Sequence, residues 1–104
     1  MSEKLNIFYT TCGNVVNSRK LARKLASSKK IICVNIIKNV ESYYENEDKI
    51  NIEDENVLII KTFLCIKDLK SILFKFHPYE TPFLTQLENL EVNNEYLEWA
   101  KKNI

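Results

Sequence analysis

The chain predicts an α+β fold in which strands and helices alternate as βαββαβ before a short last helix. Three features point there: two long β-favouring stretches that share a polar turn, two amphipathic stretches at helical spacing, and breaker residues at the junctions. At 104 residues the sequence fits one domain, 1–104, with a single core. It shows no linker, internal repeat or low-complexity tract.

The elements follow in order. Leu5-Asn6-Ile7-Phe8-Tyr9-Thr10 favours a strand, and Thr11-Cys12-Gly13-Asn14 is expected to end it, with the only glycine supplying a turn conformation. Asn14 is a candidate N-cap for a helix bearing Val15, Leu21, Ala22, Leu25 and Ala26, and Lys24, Lys29 and Lys30 crowd its C-terminal end. Ile31 to Ile37 is apolar except for Asn35 and too β-branched to prefer a helix, so a strand buried on both faces is expected. The pattern turns polar from Val40, Asn46-Glu47-Asp48 makes a turn, and Ile50, Ile52 and Val57-Leu58-Ile59-Ile60 resume it. That describes two long antiparallel strands joined as a hairpin, whose acidic residues are expected on a solvated face.

Leu69, Ile72, Leu73 and Phe76 stand at i, i+3, i+4 and i+7, the stripe of an amphipathic helix. Pro78 disfavours helical geometry at His77 and ends it, after which Phe83 to Leu87 is expected as the fourth strand. Asn93, Asn94 and Glu95 open a last helix with Tyr96, Leu97, Trp99 and Ala100. The order is the ferredoxin-like plan, two helices on one face of an antiparallel sheet, a two-layer sandwich. Such a plan leaves the second face bare, yet 31–37 and 57–60 are apolar at consecutive positions and therefore on both sides. One short terminal helix cannot cover so much, so the sequence predicts a homo-oligomer joined through sheet faces and hairpin edges.

Composition narrows the functional classes. A net charge of +1 favours neither nucleic acid nor an anionic membrane as a partner. The N-terminus lacks an apolar signal core, and no later run approaches the length that spans a bilayer, so a cytoplasmic protein is expected. Cys12, Cys33 and Cys65 are odd in number and widely spaced, which fits reduced thiols, Cys33 as a small buried hydrophobe.

With its elements placed, the sequence resembles the CutA family of divalent-cation tolerance proteins. The matching pieces run in order: Thr10-Thr11-Cys12, Cys33-Val34-Asn35-Ile36, Ser42 and Tyr44, Ile60-Lys61-Thr62, His77-Pro78-Tyr79-Glu80-Thr81-Pro82, and Asn93 through Tyr96-Leu97-Glu98-Trp99. The resemblance implies a ferredoxin-like subunit in a tight homotrimer, hairpins extended onto neighbours, a plan like that of PII signalling proteins, and a link to copper and other divalent ions. The chain departs from the family pattern in the hairpin, where the usual Trp and Gly are Asn46 and Asp48. After the second strand's apolar run the usual Pro-Gly is Lys38-Asn39, the usual glycine before Asn93 is Val92, and Phe83 replaces a carboxylate common after the second proline.

Both prolines and the only histidine fall within HPYETP, residues 77–82. Two roles fit His77: a ligand for Cu(II) or another divalent ion, or a residue that caps the helix end while the prolines stiffen the joint. One histidine cannot supply a closed four-ligand site, and any metal is expected to bind weakly. A second candidate site is a crevice between subunits, with Lys61 and Glu80 as a charged pair and Asn35, Tyr44 and Tyr79 as orienting groups; it would hold a small intracellular ligand or simply fix register.

Catalysis is not expected. Acylphosphatases share the plan but need an arginine in the loop after the first strand, and Thr11 to Asn14 contain none. A Cys12–His77 nucleophilic pair would require thiolate activation and hydrogen-bond reach. RNA binding of the RRM type needs aromatic side chains and a glycine-bearing signature that Val57 to Ile60 do not supply. The sequence therefore points to a non-catalytic, trimeric divalent-cation protein, with ligand sensing as the alternative.

Overall fold

A computed structural model describes residues 4–88 and 91–103; residues 1–3 of the N-terminal stretch lie outside them. Its elements are β1 (Asn6–Gly13), α1 (Val15–Ala26), β2 (Ile31–Asn46), β3 (Lys49–Thr62), α2 (Ile66–Phe76), β4 (Leu84–Leu87) and α3 (Asn94–Asn103). The strands form one sheet of order β2-β3-β1-β4, antiparallel at every junction. The βαββαβ order with a terminal helix is as the periodicity predicted.

Alternation along the strands decides where the core lies. Phe8, Thr10 and Cys12 of β1 and Leu58, Ile60 and Thr62 of β3 point to one face and are buried. Leu21 and Leu25 of α1 and Leu69 and Leu73 of α2 close over that face, with Ile72 packed against the cluster. Phe76, the last apolar residue of the α2 stripe, stays partly exposed.

The opposite face carries Ile7, Tyr9 and Thr11, with Cys33, Asn35 and Ile37 on β2 and Val57, Ile59 and Lys61 on β3 in register. Here the expectation that β2 is buried on both sides fails for the chain by itself. Val34 and Ile36 pack on the core, whereas Asn35 is exposed and Ile37 is 53% exposed. Two helices cover one face only. Cys33 is half-buried, not fully buried as expected.

The first strand also runs further than expected, to Gly13, which pairs with Glu55. Its turn is made one residue later by Asn14, at φ 35°. The Asn14 side chain accepts from the Asn17 N–H at 2.8 Å, the predicted cap. In β4 the strand begins at Leu84; Phe83 stays outside it, its ring edge-on to Tyr9 at 6.2 Å.

The hairpin is the longest feature. Its strands stay paired to Asn46↔Lys49, and the chain reverses through Glu47 and Asp48, both with positive φ, 53° and 62°. That is the handedness that suits the twist of the flanking strands. A register shift between Ile37 and Val40 bends β2, with Asn39 at φ 64°. The arm stretches the molecule to 49 × 26 × 24 Å.

Candidate functional site

The HPYETP joint is tied to the end of β1 and to the hairpin. Pro78 drives His77 out of helical geometry, to φ −70° and ψ 135°. The His77 N–H still donates to the Leu73 carbonyl at 2.8 Å and closes the last turn of α2. Its ring is spanned from both sides. Nδ1 accepts the Tyr79 backbone N–H at 3.1 Å, so the ring proton sits on Nε2, which donates to the Thr11 carbonyl at 2.7 Å. Burial pushes the imidazole pKa down, against the pull of the Thr11 contact and the Glu55 charge. A neutral, fixed imidazole is the result.

Beside it, the Tyr79 ring lies 4.7 Å from that of His77, and its hydroxyl donates to Glu55 Oε2 at 2.7 Å. Ser42 Oγ donates to Glu55 Oε1 at 2.6 Å, and the Thr11 side chain adds a further hydrogen bond. Burial pushes the Glu55 carboxyl up, but these donors outweigh it and hold the group below its ordinary value. Burial and the carboxylate push the Tyr79 phenol far up. One carboxylate thus gathers β1, both strands of the hairpin and the segment after α2.

Gly13 is what lets the phenol in. It does not supply the expected turn conformation, because its φ is not positive. A Cβ there would stand 2.9 Å from the Tyr79 oxygen.

The other face of the same strand end holds a second cluster. Ser18 Oγ donates to the carbonyls of Asn14 and Cys12, and Asn56 Nδ2 donates to Ser18 Oγ at 2.9 Å. Burial, chiefly, raises the Cys12 thiol, and its hydrogen bond runs to the Gly13 carbonyl at 3.6 Å. The nucleophilic pair weighed from sequence does not form: the thiol stays protonated and both His77 nitrogens are engaged elsewhere.

The five crevice candidates fall into separate places within one chain. Tyr79 is bound to Glu55, while the Tyr44 hydroxyl donates to Glu53 Oε1 at 2.7 Å, further along the arm. Lys61 lies six residues from Glu55 on β3, about 20 Å at the rise of a strand. Its ammonium stands 5.4 Å over the Tyr96 ring, in a cavity of about 180 Å³ lined also by Leu5, Ile7, Val92 and Asn93. Asn35, opposite Ile59, is exposed. Glu80 is exposed as well.

Sequence reasoning missed Glu55, Ser42 and Gly13 as one constellation. Glu55 hid among the acids of the arm; the clue was its place just before Asn56-Val57, where polar alternation gives way to the core.

No group of three or more His, Cys, Asp or Glu side chains converges to hold a metal among the described residues. A cavity of about 210 Å³ opens beside Glu55, lined by Asn14, Val15, Asn39, Asp54 and Asn56. Both Glu55 oxygens already accept hydrogen bonds. The donors of one chain do not fit a closed metal site.

Fold and site define an α+β protein with a long hairpin arm and a polar joint that ties the end of β1, the hairpin and the segment after α2 together. The CutA1 divalent ion tolerance protein model matches residues 6–103, and the chain belongs to that family. It is 34% identical to the divalent-cation tolerance protein CutA of Thermococcus kodakarensis, over 92% of each chain. It is also 34% identical to the chloroplastic protein CutA of Arabidopsis thaliana over 93% of its own length, and spans only 54% of that relative. Among solved structures, CutA1 from Oryza sativa superposes with a TM-score of 0.84 at 33% identity, covering 94% of this chain and 91% of that one. CutA from Pyrococcus horikoshii gives 0.82 at 27% identity, covering 95% and 97%.

Proposed function

We propose that the chain serves divalent-cation tolerance as a non-catalytic, cytoplasmic homotrimer of ferredoxin-like subunits that binds Cu(II) or a similar ion weakly. The ferredoxin-like reading is supported by the strand order and the helices on one face. The trimer is supported by apolar side chains that the chain leaves in water along its second sheet face and arm, Ile37, Tyr43, Ile50 and Ile52. The function rests on membership of a family named for divalent-cation tolerance, matched over nearly the whole chain. Relatives are named for other compartments too, such as the chloroplastic plant proteins; the cytoplasm is preferred because three thiols stand free.

In this reading His77 Nδ1 would be the nitrogen that holds the ion, at the expense of the Tyr79 N–H bond, while Nε2 would keep its proton on the Thr11 carbonyl. Affinity is modest because that bond is given up. A ligand-sensing crevice built from Asn35, Tyr44, Lys61, Tyr79 and Glu80 is less favoured, since within one chain Lys61 stands six residues along β3 from Glu55, the partner of Tyr79.

Titrating Cu(II) calorimetrically into the wild type and His77→Ala tests the metal role. Weak binding heat that disappears in His77→Ala supports it, and equal heats from both proteins contradict it.

A further inference from the structure

The net charge of +1 averages over two poles. Helix α1 carries Arg19, Lys20, Arg23 and Lys24 with no acid, and α2 carries Lys67, Lys70 and Lys75 against Asp68 alone. All seven basic side chains are exposed. The two helices therefore hold a net +6, while β2, β3 and their turn hold seven acids against three lysines. Because both helices pack on the same sheet face, the basic side chains share the outer surface of one layer.

Apolar groups stand among them. Val16 is 59% exposed on the side of α1 away from Leu21 and Leu25, and Phe74 is 44% exposed on α2. The Lys70 ammonium lies 5.2 Å over the Phe74 ring; Lys24 of α1 and Lys75 lie 5.4 and 5.5 Å over Phe76, linking the two helices across their seam. Lysines whose ammonium groups sit over exposed rings hold their charges at the level of the surface.

We infer that this outer helix face docks on an anionic lipid bilayer, as a peripheral contact. No helix among the described residues is long and apolar enough to cross a membrane. Ammonium and guanidinium groups meet lipid phosphates, while Val16 and Phe74 enter the headgroup boundary beneath them. Charge complementarity alone would also suit a nucleic acid duplex or an acidic peptide. The apolar residues decide for the bilayer: a duplex backbone offers Val16 and Phe74 nothing apolar, and an acidic peptide needs a groove that two outward helix faces do not make. Of the side chains assigned to trimer contacts, Ile37 lies on the opposite side of the sheet, and Tyr43, Ile50 and Ile52 stand on the hairpin arm and not on either helix, so the helix face is a separate surface from them.

Co-sedimentation with phosphatidylcholine vesicles, with and without phosphatidylserine, tests it on the full chain. Binding is expected only with phosphatidylserine and should fall as salt rises past about 0.15 M. Arg23→Glu with Lys70→Glu should weaken it at least about tenfold; Phe74→Ser should weaken it without changing the salt dependence. Both alter exposed side chains, and an unchanged melting temperature shows that they fold. The salt series on the wild type tests the inference without any variant. Equal binding to both vesicle types, no binding, or charge variants that bind like wild type would overturn it. So would binding to duplex DNA or polyglutamate by a protein that ignores the vesicles.

Discussion

At the scale of single residues, Gly13, His77, Tyr79 and Glu55 explain why the joint holds. Gly13→Ala places a methyl group where the Tyr79 oxygen stands, so the phenol must leave Glu55. Tyr79→Phe removes the same hydrogen bond without crowding, at a cost of about 1–2 kcal/mol for a half-buried charged acceptor. Denaturant titration should find Gly13→Ala at least as destabilised as Tyr79→Phe; a neutral Gly13→Ala would show that the contact does not constrain the fold.

The joint is also sensitive to acid. His77 is held neutral, so its folded pKa lies below 6.5; its contribution is complete above that value and is lost as pH falls through the folded pKa. Glu55, also depressed, loses its contribution below 4.5. Stability measured between about pH 7.5 and 5.5 should therefore decline more in the wild type than in His77→Gln. Parallel profiles would mean that His77 is not held neutral. HPYETP was legible in the sequence as a helix stop and a joint, because proline constrains its own neighbours. Its partners were not, since the hydrogen bonds it gives to the Thr11 carbonyl and to Glu55, which Ser42 shares, depend on a register that composition does not reveal.

At the scale of elements, periodicity was enough to place both core helices and the long hairpin. The amphipathic stripe of α2 puts Leu73 at zero exposure, and Leu73→Ala should cost about 2–5 kcal/mol by leaving a cavity. A loss under about 1 kcal/mol in urea unfolding would show that α2 packs elsewhere.

Boundaries were less legible. The sequence suggested that Gly13 would break β1, but Asn14 takes the positive φ instead, and the strand gains the residues that reach Glu55. Two family departures find a physical account here. Asn39, where the resemblance implies glycine, adopts φ 64°, which asparagine tolerates better than most residues. Asp48, also in place of glycine, sits at φ 62° in the hairpin turn. Replacing it with glycine relieves the left-handed strain, and Asp48→Gly should gain about 1 kcal/mol. A destabilised Asp48→Gly would mean that the carboxylate supports the turn in another way.

For the whole molecule, the apolar pattern on both sides of β2 and β3 was legible because strand alternation is strict. What covers it was not, since a single sequence does not display its neighbours. The structure sharpens the problem by leaving Ile50 66% exposed on the arm and Ile37 half in water. Charge separation escaped the sequence reading for a related reason: a net charge has no geometry, and only the fold gathers seven basic side chains on one layer.

Light scattering after size exclusion tests the assembly most directly. At micromolar concentration a folded particle of three times the 12.3 kDa chain is expected. A stable, folded particle of one chain's mass would contradict it.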